Sequence, residues 1–254
     1  MNNLIKSPFL VLSLSFVILW VSARIGAAFR KQQLLEDDLR HDLDLVVGAT
    51  LTLLGLIIGF TFSMAVNRYD QRKNYEEAEA NAIGTEYVRV GLLPAADAVK
   101  VRALLRGYLD QRVLFYQTRD EHALQQINLA TAQLQTDLWS AVQDLAAAQP
   151  TPVLALTLSG MNDVLNSQGY TQAAWWNRIP GAAWVLMAVI AICVNVMFGY
   201  GARRRKAGII HMLVLPLVLS TAFFLIADID SPRRGVIRVS PQNLLSLANS
   251  LHIQ

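Results

Sequence analysis

Residues 45–67 read LVVGATLTLLGLIIGFTFSMAVN, 23 positions without one Asp, Glu, Lys or Arg. A helix needs about 20 apolar residues to cross a hydrocarbon layer of ~30 Å, where every backbone group must pair inside its own segment. This run meets that length. Gly48, Thr52, Gly55, Gly59 and Ser63 fall at steps of four, three, four and four, which places all five on one helix face. No hydrophobic force draws helices together in lipid, so close backbone approach at such small-residue faces drives association there. Asn67 continues the stripe by one turn, at the level where a polar ring could sit. The face has two readings: packing against another span of the same chain, or lining a pore and meeting another subunit.

Three further runs lack charge: Ser7–Ala23, Ile179–Ala202 and Ala207–Ala227. Together the four runs occupy 85 positions, and the other 169 carry all 41 charged residues, a density of about 24% that is ordinary for water-exposed protein. The 16% charge of the whole chain is therefore an average over two environments. This pattern describes an all-α, polytopic membrane protein and excludes a soluble enzyme, a disordered chain and a secreted disulfide scaffold. The single cysteine, Cys193, cannot close an internal disulfide. A net charge of +3, spread along the chain, offers nucleic acid no patch.

The first run is the shortest. Ile25-Gly26-Ala27-Ala28-Phe29 can lengthen it while Arg24 snorkels to the interface. Its alternative is a signal peptide, with Lys6 ahead of the apolar stretch and Val21-Ser22-Ala23 as the cleavage site. The uncharged stretch Leu145–Asn162 is no span, because Gln149-Pro150-Thr151-Pro152 at its middle would leave backbone groups unpaired in lipid. Aromatic residues stand at the span ends, with Tyr69 after the second, Trp175-Trp176 before the third and Tyr200 after it.

Arg203-Arg204-Arg205-Lys206 fills the short loop between spans three and four, and short basic loops stay cytoplasmic. Arg24, Arg30, Lys31 and Arg40 put the first connection on the same side, and the acidic residues among them count little. Both termini and residues 68–178 then lie outside, which is the periplasm if the host is Gram-negative. Arg68, Arg72 and Lys73 on the far side of span two argue for the opposite orientation.

Residues 68–178 read as four antiparallel helices, the outer two continuous with spans two and three. The first carries span two onward to Leu93-Pro94. The second, about Ala95–Arg119, sets Val101, Leu104-Leu105, Tyr108 and Phe115 on one face with Arg112 at its edge. The third, about Glu121–Ala148, repeats Ile127, Thr131, Leu134, Leu138, Val142 and Leu145, and the fourth, about Val153–Asn177, carries Leu154, Leu158, Met161 and Leu165. The chain then divides as 1–67 (spans one and two), 68–178 (helical bundle), 179–230 (spans three and four) and 231–254 (a turn and a short amphipathic helix).

Chemistry-bearing patterns are sparse. His41, His122, His211 and His252 lack metal-site spacing, Asp42-Leu43-Asp44 lacks the glycine and distal Glu of a calcium loop, and neither a phosphate loop nor a nucleophile elbow is present. No metal, cofactor or enzymatic activity is expected. Asn195 within span three fits a helix–helix hydrogen bond, and Pro216 a bend in span four. After span four, Asp228-Ile229-Asp230-Ser231-Pro232-Arg233-Arg234-Gly235 forms an interfacial turn. Asp228 and Asp230 either pair with Arg233, Arg234 or Arg238 in a salt-bridged cap or sit at a pore mouth, where a charge repeated in each copy of an oligomer sums into a selectivity field. Leu244, Leu247-Ala248 and Leu251 then line one side of a helix suited to lie on the membrane or on the bundle.

Asn81-Ala82-Ile83-Gly84-Thr85-Glu86-Tyr87-Val88-Arg89 with Leu93-Pro94, the series Arg102, Leu105, Tyr108 and Arg112, Gly59-Phe60-Thr61-Phe62-Ser63, and Asp228-Ile229-Asp230-Ser231-Pro232 with Gly235 and Val239-Ser240-Pro241 together resemble the bacterial integral membrane proteins described as bestrophin-like. The resemblance covers most of the chain from span two onward. It implies four spans with a helical domain between the second and third, and, through the family's name, kinship with bestrophins, which are oligomeric anion channels. It singles out Asn81, Glu86 and Arg89 as family-motif polar residues. No bestrophin pore constriction or calcium clasp aligns onto named residues here, so none is carried over.

The leading expectation is a homo-oligomeric protein of the lipid bilayer that passes small ions, with the Gly48/Thr52/Gly55/Gly59/Ser63/Asn67 face lining the path and Asp228 and Asp230 near its mouth. The alternative is a non-conducting scaffold or sensor whose helical bundle binds an envelope partner.

Overall fold

The computed structural model describes residues 7–29, 37–202 and 206–252, and the described residues form no strand. Arg30, Lys31 and Arg203–Arg205, which orient the spans in the sequence, lie outside them. The helices are α1 (Pro8–Phe29), α2 (Asp37–Arg89), α3 (Ala95–Gln117), α4 (Glu121–Ala148), α5 (Pro152–Trp176), α6 (Gly181–Gly201), α7 (Lys206–Asp230) and α8 (Gln242–His252). Four helices are long and apolar enough to cross a membrane, namely α1, the first part of α2, α6 and α7. The chain separates into two compact units, 1–67 with 178–238 and 68–177 with 239–254.

In the membrane unit, α1 packs along both α6 and α7. A Cβ on Gly26 would strike the Val196 carbonyl, and one on Gly199 would strike the Ala23 carbonyl, so α1 and α6 approach backbone to backbone at their crossing. The small residues that make this contact are Gly26 and Gly199 and not the stripe in span two. Leu19, Ala23, Met187, Ala191, Val194 and Ile226 are buried around it. Asn195, also buried, turns its amide back to the Ala191 carbonyl at 2.7 Å, an intrahelical bond in place of a bridge to another span. Pro216 lies inside α7, and Ser220 donates to Leu217 O at 3.0 Å one turn beyond it.

In the helical unit α3, α4 and α5 follow each other as packed neighbours. Asp120 caps α4 by accepting from Ala123 N at 2.8 Å, and Thr151 caps α5 by accepting from Leu154 N at 3.2 Å. Leu105, Tyr108, Phe115, Leu138, Val142, Met161 and Val164 form one core with Ile83 of α2 and Val90 just beyond its end. Trp175 closes it, with its ring centroid 4.9 Å from Phe115 and 5.4 Å from Tyr116. Leu244, Ala248 and Leu251 of α8 join that core, so the amphipathic C-terminal helix lies on the bundle.

The sequence reading differs at two helix ends. The fourth bundle helix passes to span three through residues 177–180 and not as an unbroken helix, because Asn177 is extended and Pro180, which has no N–H to donate, stands immediately before the next helix. Span four runs on through Asp228 to Asp230, which therefore lie in its last turn and not beyond it.

Candidate functional site

Gly48, Thr52, Gly55, Gly59, Ser63 and Asn67 are all exposed. A Cβ built on Gly48, Gly55 or Gly59 meets nothing within 4 Å. The Thr52 hydroxyl is spent on its own helix, donating to Gly48 O at 2.9 Å. Leu54, Thr61 and Ala65, which lie on the face roughly opposite the stripe, are the buried positions of this segment. Only 11% of its most apolar window is buried, against 50% in α7. Packing within one copy of the chain leaves the small-residue face uncovered.

The two aspartates after span four have a local task. Asp228 is 1% exposed and its carboxylate accepts from Val236 N at 2.7 Å and Ile237 N at 2.8 Å, folding the chain back on the end of α7. Gly235 fits beneath this fold against the Asp228 carbonyl, where a Cβ would overlap it. Asp230 is 2% exposed; its carboxylate accepts from Ile179 N at 3.2 and 3.3 Å, and Arg178 Nη1 donates to its carbonyl at 2.6 Å. Acidic groups at a helix C-terminus oppose the helix dipole, and these backbone donors offset that cost. The Asp228 carboxylate is thus held by backbone amides at both of its oxygens.

The helical unit holds a feature that the sequence reading missed. Arg72, Glu76, Glu79 and Glu86 of α2 are each at most 1% exposed and recur at three- and four-residue steps with Ile83 and Val90, so charge shares the core face of the helix. Glu76 Oε1 accepts from Leu244 N at 3.0 Å and Oε2 from Asn243 Nδ2 at 2.7 Å, which caps the N-terminus of α8. Glu79 meets the Arg112 Nε through one oxygen. Its other oxygen receives Thr171 Oγ1 at 3.1 Å, Tyr116 OH at 3.4 Å and Arg112 Nη2 at 3.5 Å. Arg112 is thus wholly buried and not at the edge of its face, with its guanidinium 4.4 Å from the Phe115 ring centroid. Burial works against its charge, but Glu79 beside it outweighs that and holds the guanidinium above its ordinary value. Burial, with Glu79 adding to it, pushes the phenols of Tyr108 and Tyr116 far up, so both stay protonated. The signal available in the sequence was Glu76, Glu79 and Glu86 in phase with Ile83 and Val90.

Of the motif residues, Asn81 and Thr85 point outward, where with Gly84, Val88, Asn243, Ser246 and Ser250 they line an open cleft of about 540 Å³. Glu86 points inward, with Arg89 Nη1 4.0 Å away. Tyr87 is held by Arg106, whose Nη2 donates to its hydroxyl at 2.6 Å, and by Arg102, 5.2 Å from its ring centroid. The described residues hold no group of three or more His, Cys, Asp or Glu placed to bind a metal.

A family model described as Bestrophin-like domain matches residues 9–244. No curated protein matches the chain. Among solved structures it is similar to a bacterial bestrophin homolog from Klebsiella pneumoniae. A structure of that homolog obtained by zinc phasing is 13% identical, with a TM-score of 0.63 over 96% of this chain and 95% of that one. An aspartate-to-alanine variant, also 13% identical, gives 0.66 over 96% and 97%, and a tryptophan-to-alanine variant, 11% identical, gives 0.66 over 95% and 94%. At these identities the likeness is one of fold.

Proposed function

The chain belongs to the Bestrophin-like family, and on that footing we propose that it is a homo-oligomeric ion channel whose second span lines the conducting path. The observation that carries this reading is the uncovered face of Gly48, Thr52, Gly55, Gly59, Ser63 and Asn67, whose glycines have open space where a side chain would stand. A helix that buries so little against its own chain needs lipid, water or another copy beside it, and small and hydroxyl-bearing residues suit water or a close neighbour better than acyl chains. Repetition around an axis turns one such face into a wall. Asp228 and Asp230 enter as the clamps of the turn after span four, since their carboxylates already bind backbone amides. The protein spans the inner membrane with its termini and helical unit periplasmic, following the basic loop at 203–206.

The test is conductance of the purified protein in planar bilayers, run together with single cysteines at Gly55, Gly59 and Ser63 in a Cys193→Ala background. Discrete currents that a membrane-impermeant thiol reagent alters at these positions support the channel. Silent bilayers and three unreactive cysteines, from protein shown to be folded and oligomeric, overturn it in favour of a scaffold.

A further inference from the structure

Three carboxylates of α2 are sealed in the core of the helical unit, and two of them are fully served: Glu76 by the amide and side chain that open α8, Glu79 by Arg112, Thr171 and Tyr116. The third is not. Glu86 is 0% exposed and neither of its oxygens has a hydrogen-bond donor. It occupies a niche that exists because residue 160 of α5 is glycine, since a Cβ there would overlap the Glu86 carboxylate and the Arg89 guanidinium. The charges that reach it are Arg89 on its own helix, whose side chain is 30% exposed and stands 4.0 Å off, and Asp163 on α5. Arg102 and Arg106 of α3 are engaged with Tyr87.

An ionised carboxylate without donors in such a niche is costly, whereas a neutral carboxyl fits it at little cost. We propose that Glu86 is a protonation switch of the helical unit, neutral in the closed packing of α2 on α5 and, once ionised, parting α2 from α5 at Gly160. Burial pushes this carboxyl up from 4.5 to about 8, while Arg89 lowers it and Asp163 raises it. The switch therefore works near neutral pH. Its sign follows from proton linkage. Between about 4.5 and 8 the folded chain holds a proton that the unfolded chain has released, so stability falls as pH rises through this window and levels off above it.

The inference does not depend on conduction and is tested on the full-length protein in detergent. The folded-to-unfolded ratio of the wild type should fall by up to about tenfold per pH unit across the window, and Glu86→Gln, which keeps the shape and cannot ionise, should remove that slope. As a second readout, hydrogen-exchange protection of residues 80–92 and 154–166 should drop between pH 6 and pH 9 in the wild type alone. Matching pH profiles in the wild type and Glu86→Gln, by both readouts, would overturn the switch. If the variant fails to fold, unchanged wild-type protection across pH 6–9 overturns it equally.

Discussion

Arg112 of α3 and Glu79 of α2, 33 residues apart in sequence, form an ion pair in which neither side chain has any solvent exposure. Removing one partner leaves the other charge buried, which in protein interiors costs about 3–5 kcal/mol. Arg112→Ala should accordingly lower the unfolding free energy by about that much. Replacing both residues, as Glu79→Met with Arg112→Met, should cost clearly less than the single change, because no orphaned charge remains. Thermal melts of Glu79→Met, Arg112→Met and the double variant decide the point, and a double variant as unstable as the sum of the single changes would deny the pair its coupling.

Glu76 ties the C-terminal helix to the bundle through Leu244 N and Asn243 Nδ2. Glu76→Ala removes a charged acceptor from two donors, each worth about 1.5–3 kcal/mol when made to a charged group. The helix still buries Leu244, Ala248 and Leu251, so it should loosen at its start and not detach. Limited proteolysis reads this directly. Cleavage near residues 239–245 should appear in the variant and be absent from the wild type; equal resistance would mean that the apolar face alone holds the helix.

The spans and the helical stripes were legible because each depends on one continuous stretch of sequence: charge-free runs of about 20 residues, and apolar residues three and four apart. Residues joined by the fold across long sequence distances were not. Nothing near Arg112 announces Glu79, so an arginine among apolar residues reads as an edge position although it lies in the core. Asp228 was legible as a turn residue, yet its partners are the amides of Val236 and Ile237, which carry no side-chain signature, and the arginines nearby drew the reading instead. The glycines that pack α1 on α6 belong to no glycine stripe at three- and four-residue steps, while the span-two stripe, conspicuous in sequence, is uncovered. Spacing identifies a face and says nothing of what covers it.

That contrast makes a prediction about glycines. Gly26→Ala and Gly199→Ala each drive a methyl into a facing backbone carbonyl and should destabilise the α1–α6 crossing by about 1–3 kcal/mol, as overpacking does. Gly55→Ala meets open space inside a helix and should leave the isolated protomer no less stable, with a gain of up to about 1 kcal/mol. The two sets are compared in detergent. If Gly55→Ala destabilises the protomer as strongly as Gly199→Ala, the span-two face is covered within one chain and is unavailable for a pore.

The last prediction concerns Asp228. Two backbone amides eight and nine residues on depend on its two oxygens, and both sit in a turn that Gly235 allows to close. Asp228→Ala removes the acceptor of Val236 N and Ile237 N, two part-buried bonds, at about 0.5–1.5 kcal/mol for each. Asp228→Asn keeps one oxygen and turns an amide N–H₂ toward the other donor, so it should retain part of the stability. The expected order of melting temperatures is wild type, then Asn, then Ala. A pore-mouth charge behaves differently: Asn and Ala would remove it equally, shifting ion selectivity alike while leaving the melting temperature in place. Melting and reversal potential measured on the same three proteins therefore separate a clamp, which tracks hydrogen bonds, from a field, which tracks charge.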